Sequence, residues 1–303
     1  MSGRPAPSSC SCSGSVADVP PRDRAAALDA AAVPADRWEG RSVEDWRALW
    51  KIPALHLYVR VGSTNDVAKR LAEDGAATGT VVMAEEQVAG RGRGGRRWIS
   101  EPGASLAISI VVRTNGASGR DPAIAVLPLR VGLAVARAID SLTGVRTMIK
   151  WPNDVQLAGR KVCGILCEGA FGPDGGYVVA GIGVNVAQGD DHWPPDMRDA
   201  ATSVQAATGV PIWRPALAGA IIAGVLDAVR LRGPRLDSEE LAELRERDAL
   251  HGRTVQVDGS ITGVACGIAE DGSLCIRDPR GDLASVRSGT VRVVEQGDRK
   301  AFP

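Results

Sequence analysis

Residues 81–100 read VVMAEEQVAGRGRGGRRWIS, in which three glycines fit the pattern G-x-G-x-x-G: Gly90, Gly92 and Gly95. A dinucleotide-binding loop needs a strand before these glycines and a helix directly after them. The apolar run before the loop supplies the strand, but Pro102 and Gly103 stand where the helix should run, and a β pattern, SLAISIVVR, follows them. The loop is therefore predicted to join two strands, which argues against a doubly wound dinucleotide fold.

The segments on either side of this loop show strand and helix patterns in turn. Before it, Ser63 or Thr64 can cap a helix that runs to Asp74. After it, the run 145–186 contains apolar segments separated by the turn signals WPND and GPDGG, which is typical of antiparallel strands. The other predicted elements are a helix over 42–50, strands over 80–86 and 105–113, a long apolar helix that stops near Gly144, and helices over 215–231 and 237–249.

This order of elements predicts an α+β fold, in which strands mix with helices and hairpins. Residues 1–40, rich in Ala, Pro, Ser, Arg and Asp, are predicted to form a disordered low-complexity tail. The segment 41–249 is predicted to be the main domain. Short strands alternate with turn signals over 250–297, which predicts a small β-barrel.

Composition excludes several classes of partner. Lys and Arg number 36, as do Asp and Glu, so the net charge is zero and no global field attracts nucleic acid or anionic lipid. No signal segment or membrane-length apolar run is present, so we expect a cytoplasmic protein without membrane contact. The six cysteines lack C-x-x-C spacing, so we predict no metal bound by thiols and interpret Cys163 and Cys167 as small core residues.

The loop also contains four arginines: Arg91, Arg93, Arg96 and Arg97. With Trp98 after them, they could contact the phosphates and a base of a nucleic acid. Zero net charge and the lack of a second basic cluster or a helix-turn-helix pattern argue against that interpretation. Glycines that let backbone amides approach a ligand, together with guanidinium groups, favour a site for a phosphate or an acyl phosphate. Such a site requires further cationic groups elsewhere.

The motifs KWPND and GRKVCG supply those groups. The Pro-Asn-Asp turn presents the amide of Asn153 and the carboxylate of Asp154 at the end of a strand. If the next strand folds back as a hairpin, Lys161 lies near Asp154. Lysine can neutralise charge on a phosphate, and Asp154 could hold Mg²⁺ or the lysine. Taken alone, WPND is equally compatible with a plain turn.

Five motifs, in this order, closely resemble those of the biotin protein ligases: GSTND (62–66), EEQVAGRGRGGRRW (85–98), KWPNDV (150–155), GRKVCGILCE (159–168) and GIGVN (181–185). The resemblance implies a class II synthetase-like mixed sheet with helices, followed by a small SH3-like β-barrel. It also implies an ATP-dependent ligase that forms biotinyl-5′-AMP and transfers biotin to a lysine of a biotin carboxyl carrier domain. Biotin is the implied substrate, ATP with Mg²⁺ the co-substrate, and no prosthetic group is bound tightly.

The resemblance implies a role for each residue that matches a motif of the family. The implied catalytic residues are Arg93, Lys161 and Asp154. The implied biotin contacts are Ser63, Thr64, Asn65, Gln87, Arg91, Gly92, Arg93 and Lys161. The implied nucleotide contacts are Arg91, Arg93, Arg96, Trp98, Asn153 and Asn185. GIGVN could also be a plain packed strand, and the segment DDHWPPDM after it is either a lid or an ordinary surface loop.

Three alternatives stay open: a lipoate or octanoate ligase or transferase of the same fold, a non-catalytic nucleic-acid binder, and a binding-only biotin sensor. Some biotin protein ligases carry an N-terminal winged helix-turn-helix and repress biotin synthesis genes. The forty-odd residues before the main domain are too irregular for such a module. We therefore predict a ligase without repressor function and without a nucleic-acid partner, acting as a monomer or homodimer.

Overall fold

The computed structural model describes residues 32–114, 123–172, 175–231 and 233–294. Within these ranges the α-helices are α1 (Val43–Leu49), α2 (Thr64–Glu73), α3 (Ala123–Thr143), α4 (Val204–Thr208), α5 (Arg214–Leu231) and α6 (Ser238–Arg247). The strands are β1 (Val33–Pro34), β2 (Arg37–Trp38), β3 (Arg41–Ser42), β4 (Leu55–Val61), β5 (Val81–Gln87), β6 (Ser105–Thr114), β7 (Met148–Lys150), β8 (Asp154–Leu157), β9 (Arg160–Gly172), β10 (Gly175–Asn185), β11 (Thr254–Val257), β12 (Ile261–Ile268), β13 (Leu274–Arg277), β14 (Leu283–Val286) and β15 (Val291–Val293).

An eight-stranded sheet forms the centre of the molecule, in the order β1-β4-β5-β6-β10-β9-β8-β7. The pair β4 and β5 is parallel, and the other neighbours pair antiparallel. The loop after β5 contains GRGRGGRR (residues 90–97), and we refer to it as the glycine-arginine loop. It leads into β6 without an intervening α-helix, as the interruption at Pro102 and Gly103 predicts. The mixed sheet with helices confirms the predicted α+β class.

The two faces of this sheet bury different clusters because strand side chains alternate. On one face Val178, Ala180 and Ile182 of β10 join the main core with residues of α3 and α5. On the other face Tyr177 and Val179 pack beneath α2. Farther along β10 this second face carries Gly181, Gly183 and Asn185, so the apolar packing under α2 gives way to glycine and a polar side chain.

A second sheet lies near the C-terminus, with strand order β14-β13-β12-β11-β15 and antiparallel pairing throughout. Its apolar residues belong to the same core cluster as those of α3 and α5. Two hydrogen bonds join it and its connector to the β7–β8 turn region: Trp151 Nε1 donates to Gly272 O at 2.9 Å, and Ala249 N donates to Ile149 O at 2.9 Å. Closure of this sheet into an SH3-like barrel and the domain division at residue 250 stay predictions.

The predicted boundary of the tail at residue 40 needs correction. Residues 33–38, assigned to the tail, form β1 and β2, and Ala35 N donates to Leu57 O at 2.9 Å. The side chain of Trp38 packs edge-on against Trp46 of α1, with ring centroids 5.9 Å apart. Strands of two residues are too short to produce an apolar alternation, so the sequence pattern could not reveal them. Residues 1–31 lie outside the described ranges, and their predicted disorder stays a prediction.

The second face of the sheet therefore carries the features that the motifs single out. Helix α2 begins beside this face, and the glycine-arginine loop begins at the end of β5. Strands β8 to β10 form the predicted antiparallel group. Within the described ranges, no helix combines the length and the apolar character that a membrane span requires.

Candidate active site

The floor of the site is made of three glycines on adjacent strands: Gly181 and Gly183 on β10 and Gly164 on β9. We refer to them as the glycine floor. A Cβ atom at Gly181 would overlap the side-chain amide of Asn65, and one at Gly183 would overlap the indole of Trp98. At Gly164 a Cβ atom would lie 3.1 Å from the Trp98 ring. The missing side chains thus let polar and aromatic groups rest directly on the backbone.

Polar side chains cluster where α2 begins. Ser63 is its N-cap residue, although the Ser63 hydroxyl makes no capping hydrogen bond. The backbone N of Thr64 donates to Gln87 Oε1 at 2.9 Å, and the Thr64 hydroxyl lies 3.1 Å from the same oxygen. The Ser109 hydroxyl lies 2.8 Å from Thr64 Oγ1 and 2.7 Å from Asn65 Oδ1. These groups form one largely buried hydrogen-bonded set that combines donors and acceptors.

Next to this set, two carboxylates and two cations form a closed network. Arg91 donates two hydrogen bonds, of 2.6 and 2.7 Å, to the Asp66 carboxylate, and its Nη2 lies 3.3 Å from Glu168 Oε2. Lys69 Nζ lies 3.0 Å from Asp66 and 3.4 Å from Glu168. Asn65 Nδ2 donates to the same Glu168 Oε2 at 2.8 Å. The network therefore ties the start of α2, the start of the loop and β9 to one another.

The charges in this network stabilise one another. Hydrogen bonding from Arg91, against some opposing burial, lowers the pKa of Asp66 to about 2. The same bond raises the pKa of Arg91. Burial acts to raise the pKa of Glu168, but the hydrogen bond from Asn65 and the charges of Lys69 and Arg91 leave it below its ordinary value. Asp66, Arg91 and Glu168 are accordingly charged at neutral pH.

The glycine-arginine loop is a small hairpin. Trp98 N donates to Gly90 O at 2.9 Å, Gly92 N donates to Arg96 O at 2.6 Å, and Arg91 and Arg97 form a β-bridge. A short 3₁₀ turn, Arg93–Gly95, forms its tip, where Gly94 has a φ of 65° that glycine adopts without strain. The hairpin directs Arg91 to the network and lays Trp98 on the glycine floor.

At the opposite end of the floor, Lys161 and Asp154 come together as predicted, with Nζ and Oδ1 2.6 Å apart. The Lys161 ammonium also lies 5.8 Å from the centre of the Trp98 ring. Burial lowers the pKa of Arg93, and Asp154, Arg96 and Asp258 are the charges that act on it. Burial likewise lowers the pKa of Lys150, and Lys161 adds to that effect while Asp154 opposes it. Cations thus outnumber carboxylates here.

The two predicted asparagines at this end use their amide N–H groups internally. Asn153 Nδ2 donates to Ile165 O at 2.8 Å, and Asn185 Nδ2 donates to Thr202 O at 3.0 Å. Three buried polar atoms at this end of the floor have no hydrogen-bond partner among the described residues: Trp98 Nε1, Gln188 Oε1 and Thr202 Oγ1. Buried polar groups are nearly always hydrogen-bonded, so these atoms have bonding capacity left for a water molecule or a polar ligand.

Comparison with known proteins agrees with this geometry. Residues 57–185 match the biotin/lipoate A/B protein ligase family. The biotin--[acetyl-CoA-carboxylase] ligase of Mycobacterium tuberculosis is 33% identical over 245 residues, which cover 78% of this chain and 88% of that protein. The chain belongs to the biotin protein ligase family.

Two further relatives of the biotin protein ligase family support that assignment. The bifunctional ligase/repressor BirA of Bacillus spizizenii is 32% identical over 242 residues, which are 73% of this chain and 68% of that protein. A solved biotin protein ligase from Aquifex aeolicus, in complex with biotin and ATP, superposes with a TM-score of 0.67 at 28% identity. The superposition covers 81% of this chain and 100% of that one.

For this family member, the structure places the predicted site residues along one floor in two groups. At the α2 end lie Ser63, Thr64, Asn65, Gln87 and Arg91, and at the other end lie Arg93, Arg96, Trp98, Asn153, Asp154, Lys161 and Asn185. Gly92 lies in the hairpin between them. The individual binding roles of these residues stay predictions.

Sequence reasoning missed several residues that the structure adds to the site: Asp66, Lys69, Ser109, Lys150 and Glu168. Three of them had a sequence signal, because Asp66, Lys150 and Glu168 lie inside the motifs GSTND, KWPND and GRKVCGILCE. Ser109 lies on a strand where nothing local distinguishes it. The interpretation of the cysteines agrees with the structure: Cys163 faces the main core, and burial raises the pKa of Cys167 to about 12.

Proposed function

We propose that this protein joins biotin to a lysine of a biotin carboxyl carrier domain in two steps, with ATP as co-substrate. In the first step a biotin carboxylate oxygen attacks the α-phosphorus of ATP, and pyrophosphate leaves. In the second step the lysine amine attacks the acyl carbon of biotinyl-5′-AMP, an amide bond forms, and AMP leaves. The observation that carries the proposal is that one glycine floor joins a neutral polar pocket to a cationic end.

The pocket at the start of α2 suits the ureido ring of biotin. That ring presents two N–H donors and one carbonyl acceptor. The buried Thr64, Asn65 and Ser109 and the half-buried Gln87 offer both kinds of partner. A ureido group that lost these partners on burial would cost about 1 to 3 kcal/mol for each unpaired atom. The pocket is therefore expected to select for the ring rather than for the acyl tail.

The cationic end suits the reacting groups. The biotin carboxylate and the α-phosphate are both anionic, so their approach requires positive charge, and Lys161, Arg93 and Lys150 supply it. Asp154 holds the Lys161 ammonium in place through the 2.6 Å contact. The chain then contributes binding, orientation and charge stabilisation, and no covalent enzyme intermediate is needed.

Mg²⁺ is proposed to enter with ATP. No group of three His, Cys, Asp or Glu side chains suited to a metal exists within the residues that the structure describes. Magnesium that accompanies a nucleotide is commonly held by the phosphates and one or two carboxylates, and Asp154 is the carboxylate at this end of the floor. Held there, the ion would neutralise phosphate charge beside the Lys161 ammonium.

The carrier domain is proposed as the protein partner because the second step needs an amine from outside the site. The loop hairpin stands between the floor and solvent, with Gly94, Gly95, Arg96 and Arg97 exposed at its tip. A loop in that position can retain the adenylate and exclude water until the carrier lysine arrives. The predicted absence of a nucleic-acid partner and the monomeric or homodimeric state stay proposals.

Biotin-dependent exchange of radiolabelled pyrophosphate into ATP tests the proposal directly, since exchange requires reversible adenylate formation. Purified protein with Mg²⁺, ATP and biotin should support exchange, while lipoate or octanoate in place of biotin should not. Exchange with lipoate alone would favour the related lipoate ligases. Biotin binding without exchange would favour a sensor, and salt-sensitive nucleic-acid binding without exchange would favour the binder.

A further inference from the structure

The free cysteines of the described ranges form two contrasting pairs: Cys163 with Cys167, and Cys266 with Cys275. Burial raises the pKa of both thiols in the first pair, to about 12 for Cys167, so little reactive thiolate forms there. The second pair lies on the C-terminal sheet, with Cys266 on β12 and Cys275 on β13. Both side chains of this pair are partly exposed, so a small oxidant in solution can reach them.

The register of β12 and β13 places the second pair on one face of the sheet. Ala265 of β12 pairs directly with Ile276 of β13, and both side chains are buried in the main core. Cys266 follows Ala265, and Cys275 precedes Ile276 on the antiparallel partner strand, so the two cysteines lie in the same direction from this pair. Because side chains alternate along a strand, both thiols point to the outer face of the sheet.

A β-bulge keeps the two cysteines opposite each other. Cys275 pairs with Gly267, and Cys266 is the additional residue of β12, so two residues of β12 stand opposite Cys275. Gly267 has a φ of 116°, which other residues adopt only with strain, so the bulge is fixed at this glycine. Opposed residues on antiparallel strands have Cα atoms about 4.5 to 5.5 Å apart, within the range of about 4.4 to 6.8 Å that a disulfide spans.

The two thiols differ in how readily they react. Burial, together with the neighbouring charges of Asp271 and Cys266, raises the pKa of Cys275 and so lowers its thiolate fraction. The Cys266 thiol donates only a weak bond to Val264 O, with a sulfur-to-oxygen distance of 3.3 Å, so its side chain can rotate toward Cys275. Cys266 is therefore expected to react first and Cys275 to complete the bond.

We propose that Cys266 and Cys275 form a site of reversible oxidation, at which a peroxide converts the two thiols into one disulfide across the bulge. The Cys266 thiolate attacks one oxygen of hydrogen peroxide, so that an S–O bond forms, the O–O bond breaks and hydroxide leaves. The Cys275 sulfur then attacks the Cys266 sulfur, so that the S–S bond forms, the S–O bond breaks and a second hydroxide leaves. The two thiol protons convert both hydroxides to water, and two electrons pass from the dithiol to the peroxide.

A small thiol reverses the modification by thiol–disulfide exchange. The site goes beyond the proposed ligase function and does not depend on it.

Peptide mapping of the folded full-length protein after treatment with hydrogen peroxide tests the proposal. Trypsin cleaves after Arg253 and Arg277, so both cysteines stay in one peptide, whose mass should fall by two hydrogen atoms. A glutamate-specific protease cuts this peptide after Glu270, and the two products should remain joined until dithiothreitol reduces them. Cys163 and Cys167 should stay unmodified. Oxidation that leaves the two thiols unlinked, or that links either of them to another cysteine, would overturn the proposal.

A matched variant tests whether the register is responsible. Val264→Cys combined with Cys266→Ser keeps two thiols on the outer face and in the same tryptic peptide, but moves one of them to the position opposite Arg277. Diagonal positions on neighbouring strands lie about 7 to 8 Å apart, beyond what a disulfide spans without backbone movement. This variant should form the link at least about tenfold more slowly than the wild type. An equal rate would contradict the pairing across the bulge.

Single substitutions test the order of the two steps. In Cys275→Ser no second thiol follows the first step, so a sulfenic acid should accumulate at Cys266, where dimedone traps it. Cys266→Ser should give at least about fivefold less trapped product at Cys275, because its thiolate fraction is lower. Equal or greater trapping in Cys266→Ser would contradict the assigned order. Mapping of the wild type needs no substitution, so it decides the existence of the site even if a variant fails to fold.

Discussion

The two ends of the glycine floor are built differently. At the α2 end, the side chains of Thr64, Asn65, Gln87 and Ser109 already bond to one another, and the neighbouring charges cancel in pairs. At the other end, Lys150 and Arg93 lie outside any salt bridge of the described residues, and three buried polar atoms lack partners there.

This difference indicates that the two ends of the site have different functions. A set of groups that is satisfied without ligand is preorganised, so a ligand can bind it by substituting for existing bonds. A set with surplus cations is instead poised for charge that is brought in by the ligand, or that develops as it reacts. The α2 end is therefore suited to recognition and the Lys161 end to chemistry, and the following variants test that division.

The largest effect is expected for Lys161→Ala. The loss of an ammonium at the reacting groups should lower biotin-dependent exchange at least about 100-fold, as removal of one group that stabilises the transition state commonly does. Biotin affinity, measured by calorimetry without ATP, should change far less if this end serves the chemistry. Lys51→Ala, at an exposed position remote in sequence from the motifs, is the control. A nearly normal exchange rate in Lys161→Ala would remove this lysine from the catalytic group.

A smaller effect, of a different kind, is expected for Arg93→Gly. Removing the guanidinium that faces the anionic groups should slow adenylate formation less than Lys161→Ala does, because Lys161 and Lys150 remain, but should let the product escape. Biotinyl-5′-AMP should therefore accumulate in solution about tenfold faster than with the wild type, as measured by chromatography of the protein-free filtrate. Retention equal to the wild type would show that other groups hold the adenylate.

The floor between the two ends is tested by Gly183→Ala. The added Cβ overlaps the Trp98 indole, so the ring must move, and overpacking of this kind costs about 1 to 3 kcal/mol. We expect kcat/KM in the exchange assay to fall about fivefold or more. Gly172→Ala on β9, whose added Cβ meets nothing closer than 3.8 Å, should change little. Equal effects of the two substitutions would argue against the floor as a ligand surface.

The smallest effect concerns pH and the α2 end. The pKa of Asp66 is lowered from 3.8 to about 2, so the folded state favours its charged form. Its contribution to stability is complete above about pH 4 and is lost as pH falls toward 2. Allowing for screening of a side chain that is one third exposed, the contribution is about 1 kcal/mol.

Urea unfolding measures this contribution. The difference in free energy of unfolding between wild type and Asp66→Asn should be constant from pH 7 to 5 and should shrink between pH 4 and 2. If the difference in free energy of unfolding did not change over the acidic range, the pairing with Arg91 would not be lowering the pKa of Asp66. The same experiment with Glu73→Gln provides the baseline, because Glu73 lies outside the network.

Local signals were enough to predict much of the fold. The helix that begins after Ser63 and the turns at WPND and GPDGG each depend on neighbours in the chain, and the structure has α2 and the antiparallel group β8 to β10 there. The pairing of Lys161 with Asp154 also followed from a hairpin, since only seven positions separate them.

Contacts between distant segments could not be predicted in the same way. Glu168 meets Asn65 and Arg91 across separations of 103 and 77 residues, and which face of β9 carries it depends on the register of three strands. The position of the Trp98 ring on the glycine floor likewise requires the hairpin geometry and the β9–β10 pairing together. The sequence shows the residue types, but it does not show how distant strands pair with one another.

The hydrogen bond from Trp151 to Gly272 limits how the enzyme can be shortened or divided. Trp151 precedes Asn153 and Asp154 by two and three positions, and its buried indole N–H is satisfied by the C-terminal sheet. A truncated version ending before residue 250 would leave that donor without a partner and uncover Val126 and Leu129, which pack beside Gly272. For the same reason, a version divided into two fragments ahead of the C-terminal sheet would regain activity only when the two fragments associate. This junction is therefore a suitable place to divide the chain for a reporter of protein association.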